Sequence, residues 1–125
     1  MCFTRQQYPK QTALKAKEDI IAFKILKKRS RGLCSPYYYS AWEKDKMVYG
    51  KLPKELQPSE TDIYEGVHSL RTLSDAIKFI DEHSLLAGIY KIRIPKGSLY
   101  YENETQIVSN KAILVNNRRV SVKGK

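Results

Sequence analysis

Two groups of side chains in this sequence have the types and spacing to do chemistry. The first is cationic and aromatic: Lys24, Lys27, Lys28, Arg29 and Arg31 lie just ahead of Tyr37, Tyr38, Tyr39 and Trp42. Cations neutralise phosphates and exposed rings stack on bases, the combination used by proteins that bind single-stranded nucleic acid. The bland reading of the same residues is a solvated strand end followed by a tyrosine-rich loop packed on a sheet. The second group is titratable. His68 falls near a strand end in Gly66-Val67-His68-Ser69, where an imidazole serves as a base or as a donor to a phosphate. Its structural alternative is a partly buried ring that caps a carbonyl. Glu102 and Glu104 are two apart, so on a strand they share a face; the Asn103 between them fits a turn equally well. Lys96, Gly97 and Ser98 would present backbone N–H groups and a cation as a small anion-binding nest, or else simply join two strands.

Other chemistries lack their residues. His68 and His83 are the only histidines and Cys2 and Cys34 the only cysteines, with no HExxH or clustered-cysteine spacing. Neither a metal site nor a disulfide framework is therefore expected. His83 reads as structural, at a helix end where a cationic ring is favoured. The triphosphate loop GxxxxGK[ST] and the nucleophile elbow GxSxG are absent, and no cofactor is expected.

The elements that must position these groups follow from periodicity. Ile20 to Leu26 is β-branched and aromatic, a strand that Lys27, Lys28 and Arg29 carry into solvent. Met47 to Leu52 and Ile63 to Leu70 are further strands, with Gly66 marking a bulge or the close approach of another group. Leu73, Ala76, Ile77 and Ile80 share one face at helical spacing, which predicts a helix over Leu73 to His83 opened by Thr72 and Asp75 at capping-box spacing. Tyr90, Ile92 and Ile94 alternate with Lys91 and Arg93 as a half-buried strand, ended by the turn Pro95-Lys96-Gly97-Ser98. With Tyr100-Tyr101 and the run Lys111 to Asn116 this makes a strand, turn, short strand, turn, strand module expected at the heart of the fold. The fold class is α+β: a single domain with a mixed or antiparallel sheet and one main helix packed on it. Residues 1–19 are expected as a basic N-terminal extension with a short helix over Thr12 to Asp19, residues 20–116 as the compact domain, and residues 117–125 as a basic C-terminal tail.

The formal charge of +10 is unevenly spread. Residues 1–50 hold 11 Lys and Arg against 4 acids, residues 51–110 hold 7 against 9, and residues 111–125 hold 5 against none. Both ends are basic and the middle is slightly acidic, so a fold that joins the ends creates one positive field suited to phosphates or an acidic protein surface. No window approaches a membrane span, and the first fifteen residues lack the continuous apolar region of a secretory signal. No membrane partner and a cytoplasmic location are expected.

From Ile21 to Val115 the chain carries Ser35-Pro36-Tyr37, Tyr64-Glu65-Gly66-Val67-His68-Ser69, Ile94-Pro95-Lys96-Gly97-Ser98-Leu99-Tyr100-Tyr101 and Ile107-Val108-Ser109. In these it resembles a family of small uncharacterised proteins of bacteriophages and of bacteria carrying prophage-like DNA. That resemblance implies an accessory role in the cytoplasm of an infected host cell. A second, fainter resemblance is to ADP-ribosyltransferase-type folds, in which a histidine on an early strand and a glutamate on a late one hold and activate NAD. It implies those roles for His68 and for Glu102 or Glu104.

Three functional readings result. The first is a basic binding protein of phage-accessory type that contacts nucleic acid or an acidic surface of a host protein through its cations, tyrosines and Trp42. The second is a small nucleotide- or NAD-binding enzyme with His68 and Glu104 as catalytic residues, which requires His68, Lys96 and Glu104 to converge on one pocket. The third is a structural accessory protein that forms a homo-oligomer through its aromatic run.

Overall fold

The computed structural model describes residues 3–4, 11–29, 32–34, 41–56, 62–63, 65–83 and 87–121. Strands appear where β-branched and aromatic residues cluster, and the helix where apolar residues recur every three or four positions. In chain order the elements are β1 (Phe3–Thr4), β2 (Gln11–Thr12), β3 (Leu14–Lys15), β4 (Ile20–Arg29), β5 (Gly32–Cys34), β6 (Ala41–Trp42), β7 (Met47–Tyr49), β8 (Glu55–Leu56), β9 (Asp62–Ile63), β10 (Val67–Leu70), α1 (Leu73–His83), β11 (Gly88–Ile94), β12 (Leu99–Glu102), β13 (Gln106–Ser109) and β14 (Lys111–Leu114). Sheet outweighs helix in this small single domain.

Ten strands form one sheet, ordered β3-β12-β13-β10-β4-β11-β14-β7, with β5 attached to β4 and β6 to β5. Every strand pair in it is antiparallel, and the small pairs β1–β9 and β2–β8 lie outside it. At the centre, Ile20–Leu26 of β4 pairs with Gly88–Ile94 of β11 over seven residues. Because side chains alternate across a strand, Ala22, Leu26, Tyr90, Ile92 and Ile94 enter one core, joined by Val67, Ile107, Ala112 and Leu114. Ile25 and Ile89 enter a second core on the opposite face, under Ala76, Ile77 and Ile80 of α1. Burial along β11 shows where the helix ends: Gly88, Ile89 and Tyr90 are all buried, whereas Lys91 and Arg93 alternate outward beyond its cover.

The expected module of residues 90–109 is divided by this topology. β12 and β13 form a hairpin beside β10, while β11 and β14 pair directly with each other on the far side of β4. The helix begins and ends as its periodicity predicts. The Asp75 N–H donates to Thr72 Oγ1 at 3.1 Å, and the Thr72 hydroxyl donates to Asp75 Oδ2 at 2.7 Å. The shorter aspartate thus accepts from the cap residue's own hydroxyl, where a longer side chain would reach the backbone.

Two segments differ from expectation. The helix expected over Thr12 to Asp19 is replaced by β3, which pairs with Leu99 and Tyr100. So short a helix does not sustain itself, and the edge offers the Ala16 backbone both of its partners: its N–H donates to Ser98 O, and its carbonyl accepts from Gly97 N–H, each at 2.8 Å. The tail expected over residues 117–125 begins as a docked segment. Val115 N–H donates to Lys91 O at 3.1 Å and, after a turn, Val120 N–H donates to Ile89 O at 2.7 Å. Val120 joins the core under α1, and residues 122–125 lie outside the described residues.

The sheet curls until distant parts touch. Gly50, just past β7, stands so close to Gly66, just before β10, that a Cβ at Gly50 would lie 2.8 Å from both Gly66 Cα and its carbonyl carbon. Gly66 has φ +96°, and a Cβ there would meet Val108 Cγ2 at 2.7 Å. β7 and β10 are four steps apart in strand order, so this contact of two backbones draws the sheet around the first core. Neither backbone can retreat as a flexible side chain can. Gly50→Ala is therefore expected to destabilise the fold by about 1–3 kcal/mol, read as a lower urea midpoint; an unchanged midpoint would show that the two backbones do not constrain each other.

Candidate functional site

Strand alternation sorts the cations of β4. Lys24, Leu26 and Lys28 project to one face and Lys27 to the other. Pairing carries this outward: Lys28 faces Leu33 of β5, which faces Trp42 of β6, so these three share a side, while Lys27, Cys34 and Ala41 share the opposite one. Of the cationic and aromatic constellation, the structure thus brings together Lys28 and Trp42 on one side, with Lys24 against the indole from within. Lys27 is exposed on the other side. Arg29 pairs with Gly32 through its backbone, and Arg31, Tyr37, Tyr38 and Tyr39 lie outside the described residues.

Lys28 and Trp42 line a cleft of about 790 Å³ that also takes in Leu33, Lys44, Tyr90, Arg118 and Arg119. Its floor is apolar and aromatic, and its four cations come from three separate segments: β4, the residues after β6 and the turn after β14. Among the described residues the one acid in the lining is Glu43, paired with Lys46 at 3.5 Å. The turn is held by Asn116, whose Oδ1 accepts from Arg118 N–H at 2.6 Å. Arg119 packs over Gly88, where a Cβ would stand 2.9 Å from its Nε and 3.1 Å from a Tyr90 ring carbon. The absent side chain at Gly88 is what lets the guanidinium lie there. Lys28 and Lys44 from the basic first fifty residues meet Arg118 and Arg119 from the basic last fifteen at this cleft, as the charge distribution allowed. Lys44, Tyr90, Arg118 and Arg119 were outside the expected constellation, and the last two fell in the expected basic tail.

Lys24 departs from its expected role as a phosphate contact. It is 8% exposed, its ammonium donates to His68 O at 2.6 Å, and it lies 5.9 Å from the centre of the Trp42 ring. Removal from water disfavours the charged form, and burial pushes its pKa down to about 8. Trp42 is likewise 3% exposed, and among the described residues its Nε1–H has no hydrogen-bond partner. Trp42 and Tyr90 therefore form a floor and not an exposed stacking platform, with an ammonium held over the indole from the core side.

The titratable set is not brought together. His68 is 4% exposed on β10, its Nε2 hydrogen-bonded with Glu65 O at 3.1 Å. Lys96 and Glu104 lie beyond opposite ends of β12. Glu102 pairs with Arg71 at 3.8 Å, and Glu104 falls in the turn past the strand, so the two carboxylates do not share a strand face. The expected nest is occupied from within. Lys96 N–H donates to Asp19 Oδ1 at 2.8 Å, Gly97 N–H to Ala16 O at 2.8 Å and Ser98 N–H to Pro95 O at 3.1 Å. The Ser98 hydroxyl also donates to Pro95 O, at 2.6 Å.

The buried lysine has a measurable consequence. Its folded pKa lies below the unfolded value of 10.5, so between about pH 8 and 10.5 the unfolded chain holds the extra proton and stability rises with pH. Below that window the full cost of burying the charge is present, on the order of 3 kcal/mol at ~1.4 kcal/mol per unit. Lys24→Met is expected to be more stable than the parent at pH 7, with a gap that narrows from pH 8 to 10 in urea denaturation. Tyr100, held above its usual range by burial and by Glu102, is common to both proteins and drops out of the difference. A gap independent of pH would overturn the assignment of a buried ammonium. Comparison with models of protein families, with curated proteins and with solved structures finds no match for this chain.

Proposed function

We propose that the protein binds nucleic acid through phosphates held at the basic cleft. What supports this is the convergence of Lys28, Lys44, Arg118 and Arg119 around one concavity. Nothing in the apolar floor of Leu33, Trp42 and Tyr90 needs four cations for its own stability. Grouped cations repel, and a fold retains such a group at little cost only where solvent or a polyanion screens it. Since Trp42 and Tyr90 are buried, their faces do not stack on bases, and binding through phosphates alone is tolerant of sequence. The +10 net charge accelerates encounter with any polyanion, and the cleft supplies the place where contacts are made.

Counterion release gives the test. Four phosphate contacts to a single strand imply a slope of log affinity against log salt of about −3. Lys28→Gln and Arg118→Gln should each weaken binding to every sequence alike and make the slope shallower by roughly 0.7. Fluorescence anisotropy with short DNA and RNA, from low to near-physiological salt, reads both quantities, with an acidic polypeptide as control. Parental slopes in both variants, or equal binding of the acidic polypeptide, would sink the nucleic-acid reading; the second result would favour an acidic protein surface.

A further inference from the structure

Resting on that reading, we infer that the cleft takes the phosphorylated end of a strand, a terminal phosphomonoester, in preference to the phosphodiesters within it. A phosphodiester has sugars on both sides, so proteins that hold internal phosphates present cations along an open track. Here the cations are set around a concavity. Lys28 stands on the β4–β6 side, and Arg118 and Arg119 on the segment that returns to β11. Lys44 adjoins β14 through its bridge to Leu114. A volume of about 790 Å³ is that of sites which take a drug-sized molecule, room for a terminal nucleotide together with its phosphate.

Charge and geometry point the same way. A phosphodiester carries one negative charge, whereas a phosphomonoester near neutrality carries about 1.5 to 2 and offers three terminal oxygens. Two adjacent guanidiniums can grip those oxygens in bidentate fashion. The Arg119 guanidinium already lies over Gly88, so less side-chain freedom is lost when it binds. Gly88 thereby becomes a positioning residue: a methyl group there displaces the guanidinium without changing any charge.

The test uses the full chain and one oligonucleotide sequence in four forms: 5′-phosphorylated, 3′-phosphorylated, hydroxyl at both ends, and circular. Binding is read by anisotropy at near-physiological salt, with a nucleoside monophosphate as competitor. At least tenfold tighter binding of one or both phosphorylated forms is expected, reversed by the competitor. Arg119→Gln and Gly88→Ala should each erase that preference while residual salt-dependent binding persists, and unchanged thermal unfolding of Arg119→Gln separates the effect from misfolding. Equal affinity for all four forms would overturn end recognition and leave nucleic-acid binding standing. Absence of binding to every form, even at low salt, would overturn both.

Discussion

Pairing of β4 with β11 is the constraint on which the other relations depend. Seven consecutive residues in antiparallel register assign each side chain of both strands to one of two faces, and a slip by one residue would exchange them all. With the observed register, Ala22, Leu26, Ile92 and Ile94 reach the core enclosed by the curled sheet, and Ile25 and Ile89 reach the helix. The same assignment sends Lys24 inward and brings Lys28 to the side of Trp42. Core and cleft therefore share one determinant.

Electrostatics link them as well. An ammonium buried beneath Trp42 is screened by protein and not by water, and its field reaches the cleft above with less attenuation than that of a solvated lysine. The interior charge meets a carbonyl oxygen and an indole face. A hydrophobic side chain of similar length would pack more favourably at this position. The lysine makes physical sense where a positive cleft floor is useful.

How far the sequence disclosed this depended on whether the signal was local. The helix over Leu73–His83 was legible because its apolar residues repeat with helical period and Thr72 marks its start. β4 and β11 were legible from composition and alternation, which left a mixed or an antiparallel sheet open; the pairing is antiparallel. β3 was not, because Ala13, Leu14 and Ala16 favour a helix locally and the competing interaction is with residues 97–100, far along the chain. At the candidate site, Lys28 and Trp42 were visible as types, but which lysine of β4 turns inward is settled by pairing partners on other strands. The contribution of Arg118 and Arg119 required knowing that residues 117–121 return to β11. The positions of Lys96, His68 and Glu104 were equally non-local: good residue types at suggestive spacings, distributed by topology.

The return of the chain to β11 also sets a condition in time. A ribosome that has not yet reached residue 118 has already added Lys28, Trp42 and Tyr90, the floor and one wall of the cleft, but neither guanidinium of the other. Domains condense as units, and the first core draws on Ile107, Ala112 and Leu114, the last of them only a few residues ahead of Arg118, so the core and the opposing wall are completed together, late in the synthesis of this domain.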